Sequence, residues 1–131
     1  MRGDLALLPM WYVAFLLSTT VHEASHALVG KKMGDHTAED QITINPLPHI
    51  QREPVGTVVV PLLSYLLGGW MLGWASAPFD PYWRVRYPHR SAWVALAGPI
   101  SNLILAIIAG ACIHIGLATG VFSFPYMLSL S

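Results

Sequence analysis

Charge is what this sequence has least of. Only 11% of its 131 residues are Asp, Glu, Lys or Arg, against ~25% in ordinary soluble domains. Seven basic residues balance seven acidic ones. Such a chain has no basic surface for nucleic acid and no acidic face for a basic partner. Cysteine is nearly absent. The single Cys112 lies in an apolar run, which excludes an internal disulfide and a Cys-x-x-Cys metal pair. There are no long repeats and no low-complexity tracts. No small-x-small cleavage site follows Met1-Arg2-Gly3-Asp4, so the apolar run behind it does not read as a signal peptide.

What is present is apolar: 54% of the residues are hydrophobic and the mean hydropathy is +0.52. The length allows one domain or part of one. The pattern predicts an all-α membrane protein with about three transmembrane helices. The first runs over about 5–33, uncharged from Leu5 to Val21, with Pro9 near its start and Gly34-Asp35 at its end. Residues 37–52, TAEDQITINPLPHIQR, alternate around Ile42, Thr43 and Ile44 before Pro46 and Pro48. They predict a short strand-like segment and an extended turn. Residues 55–77 are long enough to span but carry Pro61 and Gly68-Gly69. They read as a kinked spanning helix, or as a re-entrant hairpin. The prolines of 78–90, PFDPYWRVRYPHR, predict an irregular loop whose arginines and aromatics form an interfacial band. A last helix over 91–120 carries Gly98, Asn102, Ala106 and Gly110 at every fourth position, a stripe for close helix packing. With three spans, Lys31, Lys32 and Arg52 oppose Arg2, Arg84, Arg86 and Arg90, which orients nothing.

The chemistry lies in HEASH, residues 22–26. On a helix, His22 and His26 are one turn apart on one face, so both imidazoles reach one ion. Glu23 is offset by ~100° and stands beside that ion. This is the H-E-x-x-H arrangement: two histidines hold Zn²⁺ and the glutamate serves as general base towards water. A bland reading has both histidines facing a water-filled vestibule. Against it stands the cost of three ionisable groups at membrane depth, which usually mark function. A catalytic zinc takes three protein ligands. His49, Asp80, His114, Asp35 and Asp40 are the remaining candidates, and none sits in an evident ligand motif.

HEASHALVGKKMGD, ITINPLPHI, VGTVVVP, GWASAPFDP and ALAGPISN, in this order, resemble the site-2 protease family of intramembrane zinc metalloproteases, in its compact bacterial branch without a PDZ domain. The resemblance covers about Ser18 to Ala106. It implies a membrane-embedded domain that cuts a substrate's transmembrane segment within the bilayer. It assigns one Zn²⁺ to His22 and His26 and the catalytic base to Glu23. It makes Asn45, Pro46 and His49 (the NPxxH block) and Gly98, Pro99 and Asn102 (the GPxxN block) candidates for substrate binding or active-site support. For His49 a turn-stabilising hydrogen bond is an equal alternative. Gln51 stands where the branch usually has an aspartate. The family's third ligand is an aspartate on a further helix, and FPYMLSLS carries nothing of that kind. The expectation is therefore a single domain over 1–131, incomplete at its C terminus. Its partners would be the lipid bilayer of the bacterial cytoplasmic membrane and a transmembrane protein substrate. The competing class is a catalytically inactive pseudoprotease or substrate-binding module. A zinc transporter would need more intramembrane ligands than His114 alone.

Overall fold

The computed structural model describes residues 4–120, and every regular element among them is helical. Helix α1 runs Leu8–Met33, with Pro9 in its first turn, where a missing N–H costs nothing. It stops at Gly34, whose φ of 117° is left-handed, with Lys31 and Lys32 in the last turn. Helix α5, Pro88–Thr119, packs antiparallel to α1. His22 meets Asn102, His26 meets Val94, and Arg90 donates to the Met33 carbonyl at 3.2 Å.

Between these helices the chain departs from the expected strand and loop. Residues 37–52 form no strand. They make a 3₁₀ turn, Glu39–Gln41, and helix α2, Pro46–Arg52. The cause is local: the Asn45 side chain accepts from the Leu47 N–H at 3.0 Å and Pro46 takes the first helical position. The same device orders part of the expected irregular loop. Asp80 caps helix α4, Pro81–Arg86, accepting from Tyr82 N–H at 2.9 Å, and Pro88 begins α5. A proline at the first position of a helix starts the helix.

Residues 55–77 do not form one spanning helix. A π-helical turn, Val55–Val59, leads into α3, Val60–Gly68, together about 21 Å long. Pro61 cannot donate to the Thr57 carbonyl four residues back, and the Tyr12 hydroxyl donates to it instead at 2.7 Å. Gly69, at φ 78°, then reverses the chain. Residues 70–80 return extended along α3 and α1. Trp74 N–H bonds the Gly56 carbonyl at 3.0 Å, and a Cβ on Gly56 would strike Trp74. The excursion that leaves at Asp35 ends where the Asp80 N–H donates to the Asp35 carboxylate at 3.1 Å. It is a hairpin that folds back on itself.

One helix among the described residues, α5, is both long and apolar enough to cross a membrane. Three spans are therefore not what the structure displays. α1, about 39 Å long, carries the HEASH group and two lysines and is less apolar. Leu103, Ile104, Ile107 and Ile108 of α5 are exposed. The small-residue stripe meets α1 at Gly98 and Asn102; around Gly110 there is open space. With the hairpin folded back, Lys31, Lys32, Arg84, Arg86 and Arg90 fall at one end of the α1–α5 pair.

Glu53 fastens the returning segment. Ser76 Oγ donates to one carboxylate oxygen at 2.6 Å and Trp74 Nε1 to the other at 3.4 Å. The Ser76 bond chiefly holds its carboxyl below the usual 4.5, against burial, which raises it, and with help from Trp74 and the nearby Arg52. A lowered carboxyl pKa stabilises the fold above the ordinary value, and that contribution disappears as pH falls through the lower one. The protection of the Trp74 N–H against hydrogen exchange, taken relative to the intrinsic rate at each pH, should therefore fall on acidification below the ordinary carboxylate range, and Glu53→Gln should abolish that step.

Candidate metal centre

The helical register of α1 brings His22, Glu23 and His26 together, with one potential ligand atom from each lying within 4.8 Å of the others. Their orientation is set from α5. The His22 Nδ1–H donates to Asn102 Oδ1. The Asn102 Nδ2 group donates to Ser18 O at 3.0 Å and Ser18 Oγ at 2.9 Å, which fixes the amide with its oxygen towards the imidazole. The His26 Nδ1–H donates to the Val94 carbonyl at 2.6 Å. Both Nδ1 atoms are thus occupied, and each ring keeps the Nε2 lone pair, the tautomer a metal requires. Both Nε2 atoms converge on Gly98, where a Cβ would stand within 3.0 Å of each. Glu23 is buried, with its Oε1 3.9 Å from His22 Nε2. Two neutral imidazoles, one carboxylate and a backbone cradle without a side chain suit a borderline-soft divalent cation such as Zn²⁺.

Asn102→Ala removes the acceptor that orients His22. Loss of such an outer partner typically costs 10–100-fold in metal affinity. Competition with a chromophoric chelator should show a zinc affinity weakened by about that factor.

Two cavities flank the group. One, about 420 Å³, is lined by Glu23, His26, Asp35, Ser76, Phe79 and Arg84 among others. The other, about 230 Å³, is lined by Ser18, Thr19, His22, Glu23, Trp74, Ala75 and Asn102. The returning segment walls both. From Ala75 to Phe79 it forms no backbone-to-backbone hydrogen bond among the described residues.

The NPxxH residues lie elsewhere. Asn45 caps α2, Pro46 follows it, and His49 is buried with its Nε2 3.1 Å from the Thr43 carbonyl. None of the three lines either cavity. Pro99 is exposed inside α5 and leaves the Ala95 carbonyl, on the larger cavity, without its helical donor. The other ligand candidates stand outside the His–Glu–His group. Asp80 caps α4, His114 is exposed on α5, and Gln41 Nε2 lies 3.4 Å from Asp40. Asp35 resists ionisation through burial. The Thr37 hydroxyl and the Asp80 and Thr37 N–H groups donate to it, Arg84 is near, and its carboxyl ends below the usual range. Ser18, the Val94 carbonyl and Ala75–Phe79 join the site without belonging to the HExxH, NPxxH or GPxxN motif. Ser18 had a signal, since it precedes His22 by one turn. A carbonyl and an extended wall leave none.

The curated proteins similar to this chain are named as candidate zinc metalloproteases. Two of them are YwhC of Bacillus subtilis and Rip2 of Mycolicibacterium smegmatis. The chain is 37% identical to YwhC over 107 residues, 79% of this chain and 45% of that protein. It is 31% identical to Rip2 over 96 residues, 72% of this chain and 36% of that protein. The chain thus spans less than half the length of the curated relatives it matches. No family model matches it, and no solved structure does.

Proposed function

We propose that this chain is the metal-binding part of an intramembrane zinc metalloendopeptidase of the site-2 protease kind, which cuts transmembrane segments of membrane proteins. The observation that carries the reading is the tying of both Nδ1 atoms to α5, which leaves the Nε2 atoms of His22 and His26 turned to one point beside Glu23. The metalloprotease names of the relatives support it.

His22 and His26 would hold one Zn²⁺, and a third protein ligand comes from outside this group. The bound ion supplies Lewis-acid polarisation of the peptide carbonyl and lowers the pKa of water towards ~7. Glu23 takes the proton of the attacking water on a carboxylate oxygen and returns it to the leaving amine. Ser18 and Asn102 keep His22 in register. The unpaired backbone of Ala75–Phe79 offers an extended peptide a strand to pair with. That pairing suits a protease, since a helical substrate segment must unwind before its bonds are reachable. The five clustered basic residues support a cytoplasmic position for their end of the bundle in a bacterial membrane.

The test uses the full-length protein in micelles with a membrane-spanning peptide. Cleavage should stop on chelation and return on adding zinc, with one ion per chain by metal analysis. Zinc bound at that stoichiometry with no cleavage at any zinc concentration would establish the pseudoprotease.

A further inference from the structure

The cavity that reaches Glu23 and His26 has a guanidinium at its other end. Arg84 follows Trp83, which is buried with its indole packed on Gly34. Asp80 caps the short helix that carries both. Arg84 is half-buried on the cavity wall, its guanidinium carbon 3.8 Å from the centroid of the Phe79 ring. A cation on an aromatic face is held in plane without using its N–H donors.

Those donors are uncommitted. Among the described residues Arg84 makes no hydrogen bond and no ion pair, whereas Arg90 donates to the Met33 carbonyl and Arg52 to Ser76. The carboxylates that line the same cavity are Glu23 and Asp35. Asp35 is already engaged by the Thr37 hydroxyl at 2.5 Å and by the Thr37 and Asp80 N–H groups, each at 3.1 Å. One end of the cavity therefore presents a planar fork of donors, partly desolvated and without an acceptor.

We infer that Arg84 is a specificity-determining residue that anchors a carboxylate of the bound peptide, in the cavity leading to His26 and Glu23. Bidentate guanidinium–carboxylate pairing is the strongest neutralisation such a fork offers. This deepens the peptidase reading and rests on it for the peptide. The carboxylate comes either from an acidic side chain flanking the apolar segment or from a free chain end.

The test measures binding and needs no turnover. Full-length Glu23→Gln protein in micelles is titrated with labelled membrane-spanning peptides that carry Glu or Gln at the flanking position, each with a free or amidated C terminus. A preference of about tenfold or more for the carboxylate-bearing peptide is expected. Dependence on the flanking residue identifies a side chain as the ligand, and dependence on amidation identifies a chain end; either supports the inference. Arg84→Gln should erase the preference, and Arg84→Glu should transfer it to a Lys-flanked peptide. Arg84→Lys, which keeps the charge and loses the fork, should retain part of it. Equal binding of all the peptides by the parent protein, or a preference that survives Arg84→Gln, would overturn the inference. Arg84-dependent binding with no cleavage by the Glu23 form would sink the peptidase reading alone. Cleavage without discrimination would sink this inference alone.

Discussion

Gly98→Ala is expected to weaken zinc binding by at least about 100-fold, although it adds one methyl group. That methyl would occupy the point on which the Nε2 atoms of His22 and His26 converge, within 3.0 Å of both. Helix α5 would have to withdraw, and withdrawal breaks the bonds from Asn102 to His22 and from Val94 to His26 that orient the two rings. Each such outer partner is typically worth 10–100-fold in affinity, and here two are lost with the space for the ion. Overpacking of this kind also costs about 1–3 kcal/mol in stability. Gly110→Ala is the control. It lies three helical turns further along α5 with nothing near its Cβ position, so zinc binding should be unchanged. Chelator competition on both variants separates the two outcomes. Equal affinities would show that α5 does not press on the metal group.

Glu23→Gln is expected to lower cleavage by about 10²–10⁴-fold while zinc stays bound. The carboxamide matches the carboxylate in shape and keeps the buried packing, but it cannot accept the proton of the attacking water. Both histidines and their α5 partners are untouched, so metal content should equal that of the parent protein. Cleavage surviving the substitution would remove Glu23 from the role of base. Loss of zinc would make Glu23 a ligand, which its Oε1, 3.9 Å from His22 Nε2, is close enough to become on small movement.

The local signals of this chain were strong where an element answers to a few neighbouring residues. H-E-x-x-H at helical spacing places two imidazoles and a carboxylate together in any helix, and α1 is one. Prolines break helices less here than their number suggests, because several stand at the first helical position. Asn45-Pro46 and Asp80-Pro81 are each a capping side chain followed by a first-position proline, and both begin helices in segments expected to be strand and loop. Alternation around Ile42-Thr43-Ile44 suggests a strand, but among the described residues none pairs with them in a ladder. The extended backbone that does border the metal group is Ala75–Phe79, which straddles the end of the expected helix or hairpin over 55–77 and the start of the expected loop over 78–90.

The sequence by itself determined that two histidines and a glutamate share one helical turn, and it determined the apolar class. Both depend on residue type and on spacings of one helical turn. Only the tertiary structure decided that residues 55–77 turn back, because the reversal rests on Trp74 meeting Gly56 and Tyr12 meeting Thr57, contacts between residues 18 and 45 positions apart. Only it decided which nitrogen of each histidine is left for a metal, because the partners of the other nitrogen, Asn102 and Val94, lie 80 and 68 positions away. Spacing in sequence brings ligands to one face of a helix. Closing the opposite face, and fixing the tautomer with it, needs a second helix packed closely enough that only a glycine fits between them.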